Sequence, residues 1–149
     1  MTSHKVHVDF PGRIVFIGFG SIGQGVLPLV MRHIGTRAER ITVVAPDERG
    51  LHVMKHFGVR FIKQGVTPGN LRTLLTPLVG EGDFVVNVSV DVSSVDLIRF
   101  CRERGALYLD TCIEPWPGGY TDPGIPASRR TNYALRERGL AQRVVGAAR

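Results

Sequence analysis

The chain has 149 residues, 43% hydrophobic and 21% charged, which is one domain's length and an ordinary composition for a soluble globular protein. No apolar run approaches the roughly 20 residues of a membrane span. The first twelve residues lack the apolar core of a secretory signal, so the cytoplasm is the expected location. The net charge of +6 invites a nucleic-acid partner, but residues 1–128 carry 13 Lys/Arg against 12 Asp/Glu. The excess lies in the last 21 residues, where six arginines face Glu137 alone and Tyr133 is the one interleaved aromatic. That reads as a solvated helix face, with no nucleic acid and no membrane as partner.

Residues 1–12 are polar and mixed, and Pro11-Gly12 marks a turn. The β-branched and aromatic run Arg13-Ile14-Val15-Phe16-Ile17 then breaks into Gly18-Phe19-Gly20-Ser21-Ile22-Gly23. An apolar helical pattern follows at Ile22, Val26, Leu27, Leu29 and Val30, with Pro28 inside it as an expected kink. This is the strand, glycine turn and helix of a dinucleotide-binding βαβ unit. Gly18 permits the tight turn, Gly20 lets the backbone approach a pyrophosphate, and Gly23 allows close helix packing. The helix N-terminus offers its N–H groups to the phosphates.

Further along, residues 41–45 form a short apolar strand of the kind buried on both faces. Residues 51–57 read as a helix stopped by Gly58, and 59–62 as the third strand. Thr67-Pro68 predicts an N-cap and first helical position for a helix carrying Leu71, Leu74, Leu75 and Leu78. Residues 84–88 make the fourth strand. The next helix buries Val95, Leu97, Ile98 and Cys101 and ends in a basic turn at Gly105. Residues 106–109 make the fifth strand, a proline- and glycine-rich stretch fills 111–127, and a helix resumes near Arg130 and frays into Gly-Ala-Ala-Arg. The alternation predicts a Rossmann-like doubly wound parallel sheet in three α/β/α layers.

Ligands of such sheets sit beyond the carboxyl ends of the strands. Those ends supply Gly18 to Ser21, then Asp47 and Glu48, then Asn87 to Asp91, then Asp110 to Glu114. Asp47, 24 residues past Gly23, suits the adenosine ribose hydroxyls and favours NAD over NADP. Arg49 could instead clasp a 2′-phosphate, and Asp47 could equally cap a helix. Asn87 and Asp91 flank the fourth strand end; Asp110 and Glu114 flank the fifth. Grouped carboxylates there suit a cationic substrate, against the alternative that Asp91 caps a helix and Asp110 binds loop amides. His52 and His56 read as a helix surface; no metal is expected. Cys101 reads as a core residue, and Cys112 as a reduced thiol at a strand end. Trp116, between two prolines, fits either a cation–π wall or a loop anchor.

The segment Arg13-Ile14-Val15-Phe16-Ile17-Gly18-Phe19-Gly20-Ser21-Ile22-Gly23-Gln24-Gly25, the segment Asn87-Val88-Ser89-Val90-Asp91-Val92-Ser93-Ser94 and the segment Tyr108-Leu109-Asp110-Thr111-Cys112-Ile113-Glu114-Pro115-Trp116-Pro117-Gly118-Gly119-Tyr120 resemble the bacterial homospermidine synthases. The likeness continues through residues 130–137 and covers the N-terminal part of that family's length. It implies a saccharopine-dehydrogenase-like fold with bound NAD. Members oxidise the diamine putrescine, release ammonia after a second amine attacks, and reduce the resulting Schiff base, transferring an aminobutyl group without net redox change. By position, Gly18, Gly20, Ser21, Ile22, Gly23, Asp47, Asn87, Ser89, Asp110 and Thr111 would contact NAD, while Asp91 and Glu114 would hold ammonium groups. Residues 1–128 would form the NAD domain and 129–149 the truncated helical start of a substrate domain, loosely held after about Gly139. The full-length protein would be a homodimer, and this chain alone would turn over negligibly. Two other functions compete. A saccharopine-type dehydrogenase would want cationic groups where Asp91, Asp110 and Glu114 stand, and a non-catalytic NAD-binding module would need no more length than this.

Overall fold

A computed structural model describes residues 4–142. In chain order its elements are β1 (Val8–Asp9), β2 (Ile14–Ile17), α1 (Ser21–His33), β3 (Ile34–Gly35), β4 (Ile41–Ala45), α2 (Leu51–Phe57), β5 (Arg60–Lys63), α3 (Leu71–Leu75), β6 (Phe84–Asn87), α4 (Ser94–Glu103), β7 (Leu107–Asp110) and α5 (Asn132–Leu140). Five strands form one parallel sheet in the spatial order β5-β4-β2-β6-β7. Relative to β2 the order grows outward in both directions, so β2 and β6 are neighbours at the switch point of a doubly wound sheet.

The apolar strands are explained by burial on both faces. All four residues of β2 are buried. Val15 and Ile17 join Val85, Leu75, Leu97 and Phe100 on the α3–α4 side. Ile14 and Phe16 alternate to the other side and meet Leu27, Met54 and Val43 beneath α1 and α2. The result is the expected three layers. Truncating Phe16, which is fully buried, should cost about 3–5 kcal/mol. At the edge, Leu107 and Leu109 of β7 are 55% and 48% exposed.

At the amino end of the sheet, Asp83 staples β2 to the turn before β6. Its carboxylate accepts from Arg13 N at 2.7 Å, Arg13 Nε at 2.8 Å and Gly80 N at 2.7 Å. Burial works against the charge, yet these donors and the Arg13 guanidinium outweigh it and hold the Asp83 carboxyl below its usual value.

The structure departs from the sequence expectations in two places. Residues 8–9 pair in parallel with residues 34–35, giving a small second sheet where irregular chain was expected. The helix expected from Thr67 through Leu78 is confined to Leu71–Leu75. Thr67 still supplies the expected side-chain cap, reciprocated by Asn70: Asn70 N donates to Thr67 Oγ1 at 3.2 Å and Thr67 N donates to Asn70 Oδ1 at 2.7 Å. Pro77 has no N–H with which to extend the helix. Pro28 lies inside α1, which runs as one element over Ser21–His33. The final helix lies at Asn132–Leu140, capped by Thr131, whose Oγ1 accepts from Ala134 N at 3.1 Å. The expected fraying of the last residues falls on 143–149, outside the described residues.

Candidate functional site

The glycine turn is built around close backbone approach. Gly18 has φ of +81°, and a Cβ placed on it would lie 2.7 Å from Ser89 Cα and 2.9 Å from Ser89 N. The loop after β2 therefore rests directly on the loop after β6, which makes glycine a double requirement at this position. A Cβ on Gly23 would lie 3.0 Å from the Phe19 ring and 3.3 Å from Val88, so this glycine seats α1 on the sheet. Gly20 is different. A Cβ there would meet no described atom within 4 Å, and Gly20 is itself the N-cap of α1, without a side-chain cap. The first N–H groups of α1 are thus left to whatever enters in front of them.

That space is a cleft of about 540 Å³ lined by Gly18, Gly20, Ser21, Ile22, Asp47, Arg49, Ser89 and Asp91. Asp47 stands exposed at its rim, accepting from Arg49 N at 2.9 Å and pairing with the Arg49 guanidinium at 3.3 Å. It does not cap α2, whose N-cap is Gly50. Asp91 also faces the cleft. Its φ of +62° is the one positive value among the described non-glycine residues, a conformation aspartate tolerates better than most. Asp91 does not cap α4 either, since Ser93 does so by accepting from Asp96 N at 3.2 Å. Gly23 and Asn87 stand behind the cleft wall, Asn87 being 1% exposed.

A second cavity of about 790 Å³ opens between β7, α4 and α5, and Tyr108, Asp110, Thr111, Cys112 and Arg136 line it. Asp110 and Thr111 therefore face this cavity and not the glycine cleft. Asp110 Oδ2 accepts from the Tyr108 hydroxyl at 3.0 Å, not from loop amides. Burial pushes the Tyr108 phenol above its ordinary value. Glu114 lines neither cavity. Its backbone is pinned to the buried Ser94, with Glu114 N donating to Ser94 Oγ at 3.0 Å and Ser94 N to Glu114 O at 2.9 Å. Its carboxylate stands beside Cys112, whose thiol is pushed up by partial burial and by that carboxylate. Cys101 is a core residue, its thiol raised to about 12 by burial.

Sequence reasoning left Trp116 open between two roles, and the structure makes it an anchor. Its indole N–H donates to Asp96 Oδ2 at 2.6 Å and its ring packs on the α3–α4 core. Tyr108 and Ser94 were not foreseen as site residues, although Tyr108 at i, i+2 from Asp110 shares its strand face, which is a usable signal. His52 and His56 lie exposed on α2. Among the described residues no cluster of three or more His, Cys, Asp or Glu is arranged to hold a metal. No described helix is long and apolar enough to cross a membrane.

Comparison with known proteins agrees with this architecture. Residues 14–145 match the family model described as the saccharopine dehydrogenase NADP binding domain. The chain is 48% identical over 146 residues to a homospermidine synthase of Blastochloris viridis, covering 96% of this chain and 31% of that protein. It is 47% identical over 135 residues to one of Mesorhizobium japonicum, covering 89% and 28%. The crystal structure of a Legionella pneumophila homospermidine synthase in complex with NAD superposes with a TM-score of 0.79 at 33% identity, covering 95% of this chain and 28% of that one. The chain thus spans under a third of the length of these relatives. With a parallel sheet wound about β2 and a glycine turn at its switch point, the chain belongs to the saccharopine dehydrogenase NADP binding domain family.

Proposed function

We propose that this chain is the NAD-binding part of a homospermidine synthase, an enzyme that transfers an aminobutyl group between diamines. The observation that carries the reading is the open face of Gly20 before the uncapped start of α1, in a chain 48% identical to a homospermidine synthase. The residues fit the dinucleotide. Gly20 and the N–H groups of α1 would receive the pyrophosphate, Ser21 and Ile22 would flank it, and Ser89 would face the nicotinamide end. Asp47 would accept from the adenosine ribose hydroxyls, and because Arg49 is already paired with Asp47, NAD is favoured over NADP. Bound there, NAD supplies an electron acceptor that returns the electrons later in the same turnover.

The chain's acidic residues would act on the diamine. Asp91 in the cleft and Glu114 beyond β7 would each hold an ammonium group, with Asp110 adding charge in the cavity beside β7. The first amine, oxidised to an imine, loses ammonia when a second amine attacks, and reduction of the new C=N bond gives the product with no net redox change.

The test uses a full-length relative aligned to these positions, assayed for putrescine turnover with the equivalents of Asp91→Asn and Glu114→Gln. Because Asp91 is exposed and Glu114 half-buried, losses of about 1–3 kcal/mol in kcat/KM are expected, with NAD affinity unchanged. Unaltered diamine kinetics in both variants would reject the assignment.

A further inference from the structure

A run of partly buried polar side chains, with Asn87 fully buried at its centre, crosses the carboxyl end of the sheet from one cavity to the other. Ser89 borders the cleft, and its Oγ and backbone N–H both donate to Asn87 Oδ1, at 2.6 and 3.2 Å. With that oxygen occupied, Asn87 Nδ2 donates to Tyr108 Oη at 3.2 Å. Tyr108 Oη accepts there and spends its own proton on Asp110 Oδ2 at 3.0 Å. Every donor points the same way, from Ser89 toward Asp110, so each bond polarises the next. The sheet register makes the run possible. Asn87 and Asp110 are lateral partners on β6 and β7, and Tyr108 lies two residues before Asp110 on the same face.

We infer that Tyr108 is a positioning residue that couples the Asp110 carboxylate to the Ser89 hydroxyl across the two cavities. While Asp110 is ionised it fixes the phenol proton, the phenol fixes the Asn87 amide, and the amide draws the Ser89 proton inward. Ser89 then presents only lone pairs to a donor in the cleft. Naming that donor as part of a dinucleotide, and Asp110 as a contact for an ammonium group, rests on the function proposed above; the coupling itself rests on the distances. Other titratable or charged groups surround both ends. The second cavity carries Cys112, Arg102 and Arg136, with Glu114 beside Cys112, and the cleft carries Asp47, Arg49 and Asp91.

NMR of the isotopically labelled chain tests this. The Asp110 carboxyl carbon and the Ser89 amide are followed through an acid titration. In the wild type the Ser89 amide should inflect at the Asp110 midpoint, and that inflection should vanish in Asp110→Asn and in Tyr108→Phe, whose ring still fills its site. A contribution from Asp91 is recognised because it persists in Asp110→Asn. A tyrosine that only supported packing would lower stability without erasing the inflection. A wild-type Ser89 amide blind to the Asp110 titration overturns the coupling, and this trace decides the matter even where Tyr108→Phe folds poorly. A folded Tyr108→Phe chain in which Ser89 still follows Asp110 overturns it equally. Calorimetry with NAD on the wild type judges the dinucleotide reading separately, since absence of binding there overturns that reading while the titration still decides the coupling.

Discussion

The two cavities at the carboxyl end of the sheet are made of different material. The glycine cleft is a backbone site, shaped by where Cβ atoms are missing at Gly18 and Gly20 and by the free N–H groups of α1. The cavity beside β7 is a side-chain site, shaped by the Tyr108 phenol, the Asp110 carboxylate and the Cys112 thiol. A backbone site tolerates almost no substitution at its few critical positions, because any side chain occupies space that the architecture needs. A side-chain site responds in graded steps, since each hydrogen bond can be removed on its own.

Four measurements would break or sharpen that contrast. The largest effect is expected for Gly18→Val, which combines a positive φ with a Cβ inside contact distance of Ser89. Thermal or urea unfolding should show a loss of about 2–5 kcal/mol. Near-native stability in that variant would mean that the β2 and β6 loops are not locked together. Gly20→Val should do the reverse. With no described neighbour near its Cβ it should leave stability within about 0.5 kcal/mol, yet weaken NAD binding about 100-fold or more in calorimetry.

Third comes the opposite end of the sheet, as a control far from both cavities. Asp83→Asn removes a buried charge that three N–H donors hold, and should cost about 1–3 kcal/mol without altering NAD affinity. Its pH signature has a definite sign. The folded carboxyl is held below the unfolded value of about 3.9, so its contribution is complete above that pH. It is lost as pH falls through the lower folded value. Unfolding of the wild type should therefore steepen below about pH 4 relative to Asp83→Asn. The smallest effect is expected at Asp47, exposed and already paired with Arg49. Asp47→Ala should weaken NAD only a few-fold, about 1 kcal/mol or less, while releasing Arg49 and improving NADP. Equal affinities for the two nucleotides in the wild type would remove Asp47 from the ribose site.

Local pattern was legible in the sequence wherever it was uninterrupted. The apolar run at 41–45 and the helix at 51–57, stopped by a left-handed Gly58, occupy the residues expected of them. Pattern failed where apolar periodicity outran the regular helix, as at Leu78 beyond the end of α3 at Leu75, and where a two-residue strand such as β1 carried no periodicity. The candidate site followed the same divide. Strand ends named residues that do gather at the carboxyl end of the sheet, because which end that is depends only on strand direction. How those residues are shared between two cavities depends on lateral contacts. Gly18 touches Ser89, and Asn87 reaches Tyr108, only because β2, β6 and β7 lie side by side in register. Nothing in the spacing of one chain segment encodes that.

The bare face of β7 has a consequence for handling the chain in solution. Among the described residues β7 is paired only with β6, and Leu107 and Leu109 lie open beside its unpaired backbone. Such an edge is a template on which another strand can add. The net charge of +6 keeps molecules apart at low ionic strength, but that repulsion reaches only about 8 Å in physiological salt. Precipitation should therefore set in as salt is added, and a lysine in place of Leu109 should raise the concentration at which it begins.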